Sequence, residues 1–340
     1  MKSKNIIFPE QNVAKVIEED ARIPQNGEIM VKLCVSSISS GTERANLTGS
    51  KTVSWNMADE KEAIFPRRGG YSSAGIVEQI GEGVTKFKVG DRVALWWSTH
   101  SQYVTINENS AALIDDVAFE DAALFHIATF PLAAIRKCHL EIGESAIVMG
   151  LGILGIVALQ LLKSAGAVPI IAVDPDPGKR EKALECGADF AFDPYDKNFS
   201  DKVKQVTNGG AKVGIEVTGI GAGLDGILDC MARFGRVALL GCTRNSDFTI
   251  DYYRKVHGPG VTLVGAHTHA RPEKESYSGW WSQEDDINAL KNLTKMGRIK
   301  LSQIIDETHS PEEASDIYKK LAFNKTFPLV QFDWRMLDKQ

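Results

Sequence analysis

The chain has 340 residues, 43% of them hydrophobic, enough to bury a large core and to form two domains rather than one. Its formal net charge of −5, with both signs interspersed, excludes a basic field for nucleic acid. No apolar run reaches the about 18–20 residues a membrane helix needs, and residues 1–30, broken by Pro9, Pro24 and several charges, do not read as a signal peptide.

The first part of the chain reads as all-β. Runs at 28–38, 71–80, 91–97 and 102–106 are β-branched or aromatic and are separated by Gly or charged turns. Residues 46–68 interrupt them with a polar stretch long for a loop, and such loops are usually functional or mobile. The character changes near residue 120. From Ser145 onward short apolar strands alternate with helical segments, the first two helices closed by Gly166 and Gly187. Near-continuous Val/Ile/Leu/Ala strands alternating with helices predict a parallel sheet covered on both faces. A helix over 283–296, another near 311–321 and a closing strand over 327–332 complete the pattern. Five cysteines, Cys34, Cys138, Cys186, Cys230 and Cys242, are scattered with no C-x-x-C. They read as reduced thiols of a cytoplasmic protein and leave no cysteine-built structural zinc lobe.

The strand SAIVMG runs into Gly150-Leu151-Gly152-Ile153-Leu154-Gly155 and then a helix. A lone GxGxxG is weak, but here a strand precedes it, a helix follows, and a second strand ends in an acid. Gly150 permits the tight turn, Gly152 lets the backbone approach a pyrophosphate, and Gly155 lets the helix pack close to the strand. The N–H groups of the first helical turn, from Ile153 and Leu154 onward, face the anion. Asp174 follows Gly155 by 19 residues. A carboxylate there accepts both ribose hydroxyls and repels a 2′-phosphate, which favours NAD over NADP. Lys179 and Arg180 keep NADP as the alternative, unless they are a solvated helix face.

The β-rich first half, the nucleotide domain and a short return to the first domain resemble the medium-chain dehydrogenase/reductase superfamily. The resemblance rests on Gly81-Glu82-Gly83-Val84, Lys88-Val89-Gly90-Asp91-Arg92-Val93, the glycine loop and Gly235-Arg236-Val237-Ala238-Leu239-Leu240-Gly241. It implies an α/β fold: a Rossmann doubly wound parallel sheet plus a β-rich GroES-like catalytic domain. The expected limits are 1–126 for the catalytic domain, 127–267 for the Rossmann domain and 268–340 for the return. The run SSISSGTERANLTG with GYS is similar to the bacteriochlorophyllide dehydrogenase branch, whereas the segment from Val264 to Trp281 is closer to sugar- or polyol-oxidising relatives. The two hints disagree, so substrate identity stays open.

Zinc-dependent members carry Cys-Gly-Thr-Asp early, Gly-His-Glu at the start of the second long strand, and Cys or Glu before the nucleotide domain. The corresponding residues here are Ser40-Gly41-Thr42-Glu43, Gly70-Tyr71-Ser72 and His126. Phenol and serine hydroxyls are poor zinc ligands beside thiolate and imidazole, so no zinc is expected. Side chains must then polarise the reacting oxygen, and by position these are Tyr71, His126, Thr42 and Ser40. His126 is the natural base, since histidine titrates at about 6.5, and Tyr71 the hydrogen-bond donor to the oxygen. The bland reading makes His126 a satisfied core residue and Tyr71 a cleft wall. Glu43 and Arg44 either pair with each other or hold the cleft, and a structural role is expected of them. The resemblance places Thr129 at the nicotinamide; Thr218, Gly219, Gly241 and Cys242 sit at C-terminal ends of the expected strands, where open α/β sheets bind ligands. His267 and His269 have no carboxylate or thiol at ligand spacing. Trp280-Trp281, Trp96-Trp97, Trp55 and Tyr277 are an aromatic supply outside the nucleotide domain, most of it expected in the core, though paired tryptophans in loops suit stacking on a ring-shaped substrate.

These readings make the chain an NAD-dependent, zinc-independent oxidoreductase interconverting a secondary alcohol, of sugar, cyclitol or other ring-bearing type, and its ketone. The alternatives are an NADPH-dependent enoyl or quinone reductase and a nucleotide-binding sensor without catalysis. The resemblance also implies a homodimer, formed through the edge strand at 261–266.

Overall fold

The computed structural model describes residues 1–51, 53, 64–324 and 326–339; Trp55 lies outside them. The chain forms two units, Met1–Ile127 with Lys300–Gln340, and Ala128–Ile299.

The first unit is β-rich. Its strands are β1 (Lys2–Glu10), β2 (Val13–Asp20), β3 (Glu28–Ser37), β4 (Arg67–Arg68), β5 (Ser72–Ile80), β6 (Arg92–Trp96), β7 (Tyr103–Asn107) and β8 (Ala111–Leu113). The helix α1 (Ser40–Leu47) follows β3, and α2 (Phe119–Ala122) leads into α3 (Phe125–Lys137). One sheet has the order β2-β1-β4. The other takes in two strands from the end of the chain, β15 (Glu307–His309) and β16 (Val330–Asp333), in the order β15-β16-β3-β5-β6-β8, with β7 on β3. Between those two strands stands α9 (Ala314–Phe323). Strand β16 begins three residues later than the sequence predicts, because Pro328 has no N–H to give a ladder. Ile6, Phe8, Ile29, Leu33, Val77 and Leu95 form the core with Tyr318, Leu321, Phe332 and Trp334, so the returning segment is part of the unit rather than an appendage.

The second unit carries β9 (Ala146–Met149), β10 (Ile170–Val173), β11 (Phe190–Phe192), β12 (Ala211–Glu216), β13 (Met231–Leu239) and β14 (Thr262–Gly265). They form one parallel sheet in the order β11-β10-β9-β12-β13-β14. Chain order reverses at β9, the topological switch point of a doubly wound sheet. The crossovers are α4 (Ile153–Ser164), α5 (Pro177–Glu185), α6 (Phe199–Val206) and α7 (Gly221–Asp229); α8 (Gln283–Lys295) comes last. Strands β9 and β10 are buried at every position, as expected where helices cover both faces.

Candidate functional site

The glycine loop leaves β9 at the switch point. Gly150 has φ +100°, a left-handed conformation that a side chain disfavours, and a β-carbon there would stand 2.9 Å from Thr218 Cγ2. A β-carbon on Gly155 would overlap the Gly150 carbonyl oxygen, so α4 can sit this close to the strand only with glycine. Gly152, the N-cap of α4, has nothing within 4 Å of the β-carbon position, which leaves room for a ligand to approach the backbone. Ile153 is buried and Leu154 half-buried in the first turn, where backbone N–H groups have no intrahelical acceptor. The residues present therefore fit a dinucleotide pyrophosphate.

Asp174 is buried, and its carboxylate ties the loop together: Leu151 N–H donates to Oδ2 at 2.9 Å and Asp176 N–H to Oδ1 at 3.0 Å. A carboxylate has about four lone-pair sites, so two remain for hydroxyl donors. Lys179 Nζ lies 3.9 Å from Oδ2 on a partly exposed side chain, a weak ion pair. Arg180 is no solvated residue, since its Nη1 donates to the carbonyl oxygens of Asp174 at 2.6 Å and Pro175 at 2.9 Å.

At the C-terminal ends of β12 and β13 two turns are pressed together. Glycine is needed at Gly219 and Gly241, because β-carbons there would run into the backbone of Cys242 and of Val217 and Gly219 respectively. Cys242 itself is exposed. Glu216, the one acid in the apolar run VGIEVTG, is buried and accepts from Thr218 N–H at 2.8 Å, from the Thr218 hydroxyl and from Gly219 N–H. Burial pushes its carboxyl above the ordinary range, against the opposing pull of those donors. Sequence reasoning passed over Glu216, although an acid inside an apolar strand is a usable signal. Thr129 is fully buried, and its Oγ1 accepts from Gln283 Nε2 at 3.2 Å. Arg271 Nη2 reaches the Thr129 carbonyl at 3.4 Å, and Asp286 bridges Arg271 (3.5 Å) and Arg136 (3.0 Å).

In the first unit, Ser72 opposes Trp96 in the β5–β6 ladder, and Trp97 N–H donates to the Tyr71 carbonyl at 2.9 Å. Tyr71 and Trp97 are thus neighbours at one end of the ladder, and His126, second residue of α3, joins them. Ring centroids lie 5.5 Å apart for Tyr71 and His126, 4.6 Å for Trp97 and His126, and 6.1 Å for Tyr71 and Trp97. His126 is buried, Tyr71 half-buried, and Trp97 is 46% exposed at φ +59°. A bulky residue in the left-handed region is strained backbone of the kind that gathers at functional sites. Ser40 and Thr42 stand half-buried on the first turn of α1.

The zinc of the resembled family does not fit this donor set. Ser72 spends its hydroxyl on the Ala123 carbonyl at 2.7 Å, which leaves His126 as the one strong ligand type at the corresponding positions. Among the described residues no group of three or more His, Cys, Asp or Glu is placed to hold a metal ion. His267 and His269 pack ring to ring at 5.3 Å.

Three of the paired tryptophans have their faces covered, Trp96 as the expectation of a mostly core set has it, and Trp280 and Trp281 against the expectation of free stacking faces. Trp96 is core. Trp280 faces the Lys137 ammonium at 4.6 Å and Trp281 the Arg136 guanidinium at 3.5 Å, cations from the last turn of α3. Burial, then the Arg271 charge, push the Lys137 ammonium down to about 8. Among the described tryptophans Trp97 is the exposed one, at 46%, and Tyr277 is 60% exposed. Glu43 and Arg44 do not pair with each other: Arg44 donates to the Asn324 carbonyl at 2.9 Å, while Glu43 is buried against His100 and Tyr318.

Two families of known proteins match the chain, the alcohol dehydrogenase GroES-like domain over residues 27–125 and the zinc-binding dehydrogenase over residues 154–283. The D-guloside 3-dehydrogenase of Escherichia coli K12 is 24% identical across 91% of this chain and 94% of its own length. Among solved structures, the benzyl alcohol dehydrogenase of Acinetobacter calcoaceticus superposes with a TM-score of 0.81 at 20% identity, covering 98% of this chain and 99% of that one. An alcohol dehydrogenase of Escherichia coli CFT073, solved with NADH, gives 0.81 at 18% identity over 98% and 99%. With a GroES-like β unit, a switch-point glycine loop and both families in register, the chain belongs to the medium-chain dehydrogenase/reductase superfamily and is an NAD(P)-dependent oxidoreductase acting on CH–OH donors.

Proposed function

We propose that this protein is a zinc-independent dehydrogenase that uses NAD to interconvert a secondary ring alcohol and its ketone. The observation that carries the reading is the Tyr71–Trp97–His126 trio: Tyr71 and His126, which correspond along the sequence to ligand positions of the resembled family, meet beside Trp97 and offer proton chemistry and a stacking face in place of metal ligands. Bound nicotinamide would supply the acceptor for the hydride leaving the alcohol carbon. In that oxidation His126 takes the hydroxyl proton, and Tyr71 donates a hydrogen bond to the oxygen as it becomes a carbonyl. Trp97 stacks on the face of the substrate ring, in keeping with the relatives named for a guloside and for benzyl alcohol. Ser40 and Thr42 supply further hydroxyl contacts, and Thr129, Thr218, Gly219, Gly241 and Cys242 line the nicotinamide.

NAD rather than NADP is supported by Asp174, whose carboxylate retains acceptor capacity, and by Arg180, whose guanidinium is committed to backbone carbonyls. The test is cofactor-linked turnover on a panel of sugars, cyclitols and aromatic alcohols, with NAD and NADP compared. NAD should be preferred, and Asp174→Ala should weaken NAD binding by about 1–3 kcal/mol, the worth of charge-assisted hydrogen bonds. A wild-type preference for NADP would overturn the assignment.

A further inference from the structure

Behind Tyr71 lies a buried polar network that the proposed chemistry does not use. Glu43 is 1% exposed, and His100 and Tyr318 are fully buried. Glu43 Oε1 accepts from Ser39 N–H at 2.9 Å, and Oε2 accepts from the Tyr318 hydroxyl and lies 3.0 Å from His100 Nε2. His100 Nδ1 lies 2.7 Å from Ser36 Oγ, which accepts from Trp334 Nε1 at 2.9 Å. The donors and acceptors close in one direction. Trp334 donates to Ser36, Ser36 to Nδ1, and Nε2–H to the carboxylate, so every polar group is satisfied. Burial, with the Glu43 charge beside it, holds the Tyr318 phenol well above its ordinary range and so keeps it a donor.

The network carries the turn from which Tyr71 projects. Gly69 lies on the Glu43–Tyr318 bond: a β-carbon there would stand 2.8 Å from Phe8 Cζ, 3.1 Å from Glu43 Oε2 and 3.2 Å from Tyr318 Oη. Gly70, at φ +86°, lies on His100, and a β-carbon there would be 2.7 Å from its backbone nitrogen and 2.9 Å from its ring. His100 N–H donates to the Gly69 carbonyl at 3.0 Å. Both glycines are therefore packed down onto the network, and the next residue is Tyr71.

We infer that Glu43, His100 and Tyr318 are positioning residues, a rigid floor that fixes the Gly69–Gly70 turn and through it the direction of the Tyr71 phenol. The inference rests on the catalytic reading of Tyr71 for its consequence in turnover, but not for its geometry. Tyr318→Phe, which removes one hydroxyl and keeps the ring, tests it by crystallography. The Tyr71 ring should leave its place beside His126, and kcat on a secondary ring alcohol such as cyclohexanol should fall about 10–100-fold with KM for NAD unchanged, the usual effect of a misplaced group. In a Tyr71→Phe background the same change should cost no further turnover, because it acts through Tyr71. Should Tyr318→Phe not fold, Gly69→Ala lifts the same turn without altering any hydrogen-bonding group. A Tyr71 ring unmoved in the variant that folds overturns the inference. A displaced ring with turnover unchanged would uphold it and instead sink the catalytic role of Tyr71.

Discussion

Tyr71 and His126 come from segments far apart in sequence, yet their rings meet edge to face at 5.5 Å, close enough to address one substrate oxygen together. Tyr71→Phe deletes only the phenol oxygen. It should lower kcat by about 10²–10³, the cost of losing an oxyanion-type donor, while nucleotide affinity holds. His126→Ala should cost at least as much, because it removes the proton acceptor. Steady-state kinetics check both, and wild-type turnover in the two variants would reduce the residues to walls of the site. At this scale Gly150 and Gly155 were legible, since one answers the demand of a tight turn and the other that of close packing. Tyr71 and His126 were legible only by position along the chain, and nothing in the sequence placed Trp97 beside them. The floor beneath them was not legible at all: Glu43 finds His100 57 residues on and Tyr318 275 residues on, and no local pattern announces such partners. Trp280 and Trp281 were misread because what covers an aromatic face depends on which cations the fold brings to it.

Among the elements, the turn from β15 to α9 carries a pH-dependent clamp. His309 stands between two carboxylates, Nε2 2.8 Å from Glu307 and Nδ1 2.9 Å from Glu313. Burial opposes protonation, but the hydrogen bonds and charges of Glu307 and Glu313 outweigh it, and the folded imidazole titrates above its ordinary value. A raised folded pKa gives stability that is fully present below about pH 6.5, the unfolded value, and is lost as pH rises through the folded one. His309→Gln should therefore cost up to about 1 kcal/mol at pH 6 and less at pH 9. Urea unfolding midpoints of wild type and variant at the two pH values check this; an equal cost at both would show that the imidazole contributes by packing alone. The parallel sheet and its helices were legible as elements, because strands buried on both faces read as continuous apolar runs. The late start of β16 shows the limit, since an apolar run still needs N–H donors to pair.

For the whole molecule, β14 is the outer strand of its sheet among the described residues, and Leu263 on it is 38% exposed. An edge with free N–H and C=O groups and apolar side chains is an aggregation hazard unless it is covered. We expect a homodimer in which two such edges pair about a twofold axis. Light scattering at micromolar concentration should give twice the chain mass, and a strict monomer would contradict it. Whether proton handling by Tyr71 and His126 replaces a metal is read out by turnover per chain, with NAD and a responsive ring alcohol, before and after exhaustive chelation with zinc content assayed on the same samples. Turnover should be unchanged at a zinc content far below one per chain. One tightly held zinc per chain, lost together with activity and restoring it on return, would mean that the metal and not the Tyr71–His126 pair handles the oxygen.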